Sequence, residues 1–394
     1  MTDWDRDIRR RLHDLDGQGL LRERRPVSNA AFPVLEREGA SLINFSSNNY
    51  LGLAGNTKIV QAEGKGAYSG AGATASRLIT GTDEGTKMLE KELATYKGTE
   101  AALIFGSGYA ANLGVLSALL GREDAVFSDR LNHASIVDGI RLSGARCFRY
   151  RHGDADHLET LLQKADRQGF RKKLIVTDTV FSMDGDIAPL ADLLELKERF
   201  GAALMVDDAH GGGVFGPEGK GVVHQLGLGD RVDLHMGTFS KAFGVYGAYV
   251  AGRENWIRYL VNTSRSWIYT TALPPAVTAG IAASLQLVRQ GEDLRQSLRE
   301  KSRWFRNELQ RAGFDTGPSA SQIIPVMVGE NRASLRFSQR LADRGVLAVG
   351  IRPPTVPKGT ARIRFSLMAN HRCEDLEQAL EAITETGREL GVIA

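Results

Sequence analysis

Lysine and histidine set beside carboxylates and hydroxyls are the side chains that most readily move protons or form covalent adducts. This sequence places several of them at the ends of apolar runs. ALMVDDAH delivers Asp207 and His210, DLHMGTFSKAFG delivers Thr238, Ser240 and Lys241, and TVFSMDGD delivers Ser182. DRLNHAS sets His133 just after DAVFS, and FGSGYAAN sets Gly106, Gly108 and Tyr109 ahead of the apolar stretch ANLGVLSALL. A lysine flanked by hydroxyls and withdrawn from water offers a neutral amine that adds to a carbonyl. Backbone N–H groups of a glycine turn that opens a helix face a phosphate well. A flat imidazole stacks on an aromatic ring. Taken singly, each feature also has a plain structural reading: a surface lysine, a tight turn, a core histidine.

Such residues need a scaffold that ends several strands at one edge. From about Ala101 to Val250 short apolar runs alternate with helical stretches, the pattern of a mostly parallel sheet flanked by helices. The predicted strands are AALIF, DAVFS, RCFRY, KLIVTDTVF, ALMVDD, DLHMGTF and GAYVAG, and ligands sit at the carboxyl ends of such strands. Between them APLADLLELKERFG keeps an apolar stripe of Leu190, Leu193, Leu194 and Leu196, with Gly201 at its exit. After PPAVTAGIAASLQLV the chain turns charged and helical, then continues with SQIIPVMVG, ASLRFSQRLADRG, LAVGIR and RIRFSL, which predict a small α+β lobe. The expected division is an N-terminal segment 1–45, a large α/β domain 46–285 and a small domain 286–394.

Composition narrows the class. A chain of 394 residues with 42% hydrophobic and 25% charged residues is that of an ordinary globular protein. No run approaches the roughly 20 apolar residues of a membrane span, and the charged N-terminus lacks a signal-peptide pattern, so a cytoplasmic location is expected. Cys147 and Cys373 form no disulfide or zinc pattern, and a net charge of +3 is too balanced for an electrostatic nucleic-acid binder. The basic stretch Arg9, Arg10, Arg11, with Ile8, Leu12 and Leu15 at helical spacing, reads as the solvated face of an N-terminal helix, or else as a site for a polyanion.

One molecule requires the whole set of strand-end groups. Pyridoxal phosphate (PLP) has a phosphate for the glycine turn and Thr238, a ring face for His133 and a pyridine nitrogen for Asp207. Its phenolic oxygen suits Ser182 and His210, and its aldehyde suits Lys241. The motifs NFSSNNYLGL, GSGYAAN, DRLNHAS, VFSMDGDIAPL, MVDDAHGGGVFG, GTFSKAFG and IRPPTVPKGTARIR together resemble the α-oxoamine synthases. These are fold-type-I PLP enzymes that condense an amino acid with an acyl thioester and release CO2. The resemblance implies a large, mostly parallel seven-stranded sheet domain with a smaller α+β C-terminal domain.

The same resemblance implies roles residue by residue. Lys241 matches the lysine that holds the cofactor, Asp207 the partner of the pyridine nitrogen, Ser182 and His210 the partners of the phenolic oxygen, and His133 the stacking ring. Gly108, Tyr109 and Thr238 match phosphate or backbone contacts, with Ser240 beside the lysine. Thr271 reaches a phosphate in the neighbouring subunit, so a homodimer is expected. Arg22, Asn48, Thr355 and Arg364, with His133, lie near the substrate, and Arg364 suits its carboxylate as a planar bidentate partner. IRPPTVP points to the family member that joins L-alanine to a pimeloyl thioester, carried on coenzyme A or on an acyl carrier protein. Glycine with an acetyl thioester is the alternative, and a non-catalytic scaffold subunit a more distant one. The chain departs from the family pattern at Gly212 (usually a hydroxyl residue), Thr86 (commonly histidine) and Asn49 (commonly aspartate).

Overall fold

Unbroken runs of Ala, Val, Ile, Leu and Met belong in strands buried on both faces, as in a parallel sheet covered by helices. The computed structural model, which describes residues 2–394, places seven such strands in one sheet. They are β1 (Ala101–Phe105), β2 (Ala125–Asp129), β3 (Arg146–Tyr150), β4 (Lys173–Asp178), β5 (Ala203–Asp207), β6 (Leu234–Thr238) and β7 (Ala248–Gly252). Their order is β1-β7-β6-β5-β4-β2-β3. Neighbours are parallel except at β7, which runs antiparallel to both β1 and β6. The mostly parallel seven-stranded sheet expected from the sequence is present. Edge strand β3 is the one that alternates, with Phe148 and Tyr150 buried and Arg146 and Arg149 exposed.

Register then brings chemistry to one edge. Asp178 at the end of β4 stands opposite Asp207 at the end of β5, and Asp207 stands opposite Met236 of β6. Two helices close that edge: α1 (Gly108–Leu119), which follows β1, and α2 (Ala134–Ser143), which follows β2. Val115 and Leu116 of α1, Ile136 of α2, and Leu103, Val126, Val176, Met205 and Met236 of the strands form one continuous core. Each such burial stabilises by about 1.5–3 kcal/mol.

The chain divides into two compact units, and the division differs from the expected one. One comprises Leu53–Ser182 and Ile187–Arg295; the other comprises residues up to Gly52, Met183–Asp186 and Gln296–Ala394. The N-terminal residues 1–45 are therefore not a segment of their own. Ala40–Asn44 pairs antiparallel with Val34–Arg37 and parallel with Val346–Leu347, a pairing some 300 residues distant in sequence. LAVGIR, expected as one strand, is two. Val346–Leu347 joins that sheet, whereas Val349–Ile351 pairs with Ala361–Ser366, which also pairs with Ile323–Gly329. The first helix, Asp3–Gly17, is capped by Thr2 and Asp5 and buries no residue. No helix among the described residues is long and apolar enough to cross a membrane.

His371 ties this second unit together. Its Nδ1 accepts the Met368 N–H at 3.1 Å, its Nε2–H donates to the Asn44 carbonyl at 3.1 Å, and its ring stacks on Phe45. Burial pushes its pKa down to about 4, against the opposing pull of the Asn44 carbonyl and Asp375. An unfolded histidine takes up its proton near 6.5, so the unfolded chain binds more protons between those values and stability falls as pH drops through them. Above about pH 6.5 the contribution is intact. Urea unfolding at pH 7 and pH 4.5 should show wild type losing about 2 kcal/mol more than His371→Gln over that interval. Equal losses in the two proteins would contradict the assignment.

Candidate active site

A carboxylate at the end of a central strand needs donors, and Asp207 has two. Its Oδ2 accepts from Asn112 Nδ2 at 2.8 Å and its Oδ1 from the Ala209 N–H at 3.0 Å. Asn112 is fully buried on α1, and its Nδ2 also donates to Ser135 Oγ on α2 at 2.9 Å. Ser135 Oγ in turn lies 2.7 Å from Nδ1 of His133, the residue that caps α2. The His133 backbone N–H donates to Asp178 Oδ2 at 2.8 Å. One polar chain therefore runs from Asp207 to His133. His133 is exposed, yet partial desolvation of its ring lowers the pKa; Asp207 opposes that shift and Lys241 adds to it. Burial, and next the neighbouring Asp207, push the Asp178 carboxyl well above the usual range.

Lys241 lies in the turn from β6 to β7. Buried Phe239 and Phe243 pack edge to face at 5.6 Å on either side of it in sequence, which holds the turn while the lysine stays half-buried. Its Nζ stands 2.8 Å from Nε2 of buried His210, carried by the loop after β5. Thr238 Oγ1 donates to the Gly247 carbonyl at 2.9 Å and accepts from the Ser240 N–H at 3.2 Å. Both hydroxyl residues thus brace the turn.

The glycine turn opens α1 as expected. Ser107 Oγ accepts the Ala110 N–H at 3.2 Å, and Gly108 and Tyr109 occupy the first turn, where backbone N–H groups have no acceptor within the helix. A Cβ on Gly108 would stand 2.8 Å from the Met236 side chain, so a glycine lets α1 begin this close to β6. The Tyr109 hydroxyl donates to Asp138 at 2.6 Å. Ser182 is half-buried beyond β4, and Thr271 is exposed and bridges Ser76.

The remaining predicted residues belong to the other unit and fall into two groups. Arg364 is buried and donates to Ser366 Oγ at 2.6 Å, Asn48 Oδ1 at 3.1 Å and the Tyr50 hydroxyl at 3.3 Å. Arg22 is exposed and donates to Thr355 Oγ1 at 3.4 Å. Among the departures, Asn49 donates to the Ala31 carbonyl and the Gly212 N–H donates to the Asp208 carbonyl at 2.7 Å, so both serve local backbone.

Residues 40–383 match the family described as aminotransferase class I and II. The chain belongs to that family. Among its relatives is the 8-amino-7-oxononanoate synthase of Citrifermentans bemidjiense, 49% identical over 384 residues, with 97% of this chain and 98% of the relative covered. A solved 8-amino-7-oxononanoate synthase from Francisella tularensis is 29% identical, with a TM-score of 0.75 and 88% and 98% of the two chains covered. A serine palmitoyltransferase from S. paucimobilis with bound PLP-myriocin aldimine is 30% identical, with a TM-score of 0.90 and 98% of each chain covered. The protein is an enzyme of the aminotransferase class I and II family, and the family together with its PLP-bound relative implies a PLP cofactor.

Sequence reasoning did not single out Asn112, Ser135, Asn132 or Asp178. The signal for Asn112 was a lone amide inside an apolar helical run. Asn132 stitches two strand ends: Nδ2 donates to Ser128 Oγ at 2.9 Å and to the Val176 carbonyl at 2.8 Å, while Oδ1 accepts the Asp178 N–H at 3.0 Å. Replacing Asn132 by Ala leaves buried backbone groups of β4 without partners and should cost about 2 kcal/mol in urea unfolding. A variant as stable as wild type would show that these three bonds hold nothing.

Proposed function

We propose that this enzyme catalyses the decarboxylative condensation of L-alanine with a pimeloyl thioester, carried on coenzyme A or on an acyl carrier protein. The products are 8-amino-7-oxononanoate, CO2 and the free thiol, a step of biotin biosynthesis, and the working form is a cytoplasmic homodimer. The observation that carries the reading is the gathering of Asp207, His133 and the Lys241–His210 pair at one edge of the sheet. Relatives near half identity along the whole chain support the choice of substrates.

The donor set suits PLP: a carboxylate pinned by two donors, a helix N-terminus with open amides, and a half-buried amine beside a histidine. When bound, PLP supplies an electron sink for the amino-acid Cα. Asp207 would hold the pyridine nitrogen in its protonated form, Ser182 and His210 the phenolic oxygen, and Gly108, Tyr109, Thr238 and Ser240 the phosphate and its surroundings. Thr271 would serve the phosphate of the second subunit. Lys241 would be the residue that holds the cofactor's aldehyde carbon and the group that moves the proton at the substrate Cα. His210 orients the Lys241 amine from 2.8 Å. Arg364, itself oriented by Asn48, Tyr50 and Ser366, receives the alanine carboxylate. Arg22, Asn48 and Thr355 would lie near the substrate.

Purified wild type should be yellow, and Lys241→Ala should lose both that absorbance and turnover, the latter by at least about 10³-fold. Normal turnover in the variant would sink the assignment. Asp207→Asn removes the charge but keeps the shape, so cofactor should remain bound while kcat falls about 10²–10³-fold. A wild-type rate would contradict the role given to Asp207. Alanine with pimeloyl-CoA, compared with glycine and acetyl-CoA, decides the substrates: a higher kcat/KM for the second pair would make the enzyme a glycine C-acetyltransferase.

A further inference from the structure

The polar chain from Asp207 to His133 constrains the donors and acceptors along it. Both Nδ2 hydrogens of Asn112 are engaged, one by Asp207 Oδ2 and the other by Ser135 Oγ. Turning the amide over would set its oxygen against the carboxylate, two acceptors with no hydrogen between them. Ser135 Oγ is thus an acceptor from Asn112, and its single proton is free to face His133 Nδ1, 2.7 Å away. The Ser135 backbone N–H is also directed at Nδ1, at 3.3 Å. A ring nitrogen that faces two donors carries no hydrogen of its own. We propose that Asn112 and Ser135 are positioning residues that relay the orientation of Asp207 to His133 and hold its ring as the neutral tautomer protonated at Nε2.

The inference rests on the reading that His133 lies against a PLP ring, and it explains why that ring must be uncharged. A pyridine nitrogen kept protonated beside Asp207 would put a positive charge into the cofactor ring, and an imidazolium stacked on it would meet like charge. The charged groups around His133 are Asp207 from β5, Lys241 from the β6–β7 turn and Asp138 from α2 itself, with Asp178 of β4 bonded to its backbone N–H. Asp207 and Asp138 favour the imidazolium, and Lys241 and partial desolvation disfavour it. The two donors at Nδ1 act in the same direction as the latter pair, because each is lost when Nδ1 takes a proton.

Cofactor-free enzyme labelled with 15N-histidine tests the relay by long-range 1H–15N NMR, the His133 signals being identified by their loss in His133→Gln. At pH 7.5 the wild-type ring should show the neutral pattern with hydrogen on Nε2. Ser135→Ala should mix the two tautomers and raise the ring pKa by about one unit, the size expected for one hydrogen bond. Asn112→Ala frees the Ser135 hydroxyl to rotate and should also mix the tautomers. A wild-type ring that is charged, or that carries its hydrogen on Nδ1, overturns the proposal and needs no variant to fold. A Ser135→Ala ring identical to wild type overturns it as well. Failure of the wild-type protein to bind PLP would be seen separately by its absorbance, and would unseat the proposed function while leaving the tautomer as measured.

Discussion

Burying a carboxylate at the end of a central strand is the constraint on which the rest of this site depends. An ionised oxygen taken out of water needs donors or a proton. Asp207 receives an amide from α1 and a backbone N–H from the loop beyond its own strand. Once Asn112 is committed to Asp207, the donor and acceptor roles of Ser135 follow, and α2 must sit within a hydrogen bond of α1. The apolar packing supplies that distance. Ala111, Val115 and Leu116 of α1 and Ile136 of α2 are completely buried, and a Cβ on Gly139 would stand 2.8 Å from the Asn112 carbonyl, so the two helices approach as closely as a glycine permits.

The strand period sets a second consequence. Consecutive residues point to opposite faces, so Asp208 cannot share the surroundings of Asp207. It accepts from Thr179 Oγ1 at 2.5 Å and lies 4.0 Å from Nζ of Lys97, whose side chain is wholly buried. Burial is the leading cause at both ends of this pair, pushing Lys97 down to about 8 and Asp208 up to about 6, each partly offset by the other's charge. Such a pair adds little net stability, yet removing one partner strands the other, so it specifies arrangement more than it stabilises. What it arranges is the loop that follows. Gly221 has φ +108°, and a Cβ there would fall 1.5 Å from Asp208 Oδ2. The same loop carries His210 to Lys241.

These dependencies divide what could be read from the sequence from what could not. Strands were legible because a sheet buried on both faces needs unbroken apolar runs, and their terminal residues were legible as site candidates because parallel strands share one functional edge. Asn112 and Ser135 were not, since an amide within an apolar helix and a serine after a cap gain meaning only from partners 95 and 23 residues away. The pairing of Ala40–Asn44 with Val346–Leu347 was hidden for the same reason, and with it the membership of the N-terminal residues. LAVGIR misled because its composition suits a strand throughout, while Ala348, between its two short strands, is where the chain leaves one sheet for another.

Two histidines show how one physical device serves different ends. His371 and His133 both accept a backbone N–H at Nδ1, and desolvation lowers the pKa of each. In His371 the Nε2–H closes on the Asn44 carbonyl within a ring that is 1% exposed, so every polar atom is matched and the residue is a structural pin. In His133 the second donor at Nδ1 is a side-chain hydroxyl tied to the Asp207 carboxylate through Asn112, and the residue is exposed. Among the described residues no acceptor is bonded to its Nε2. Three side chains, Asp207, Asn112 and Ser135, therefore lead to the Nδ1 of an exposed residue and not to a core pin. On the proposed function, a ligand that must meet an oriented, neutral imidazole gives this arrangement a use, and the buried carboxylate which sets the orientation would also hold the ligand's ring nitrogen.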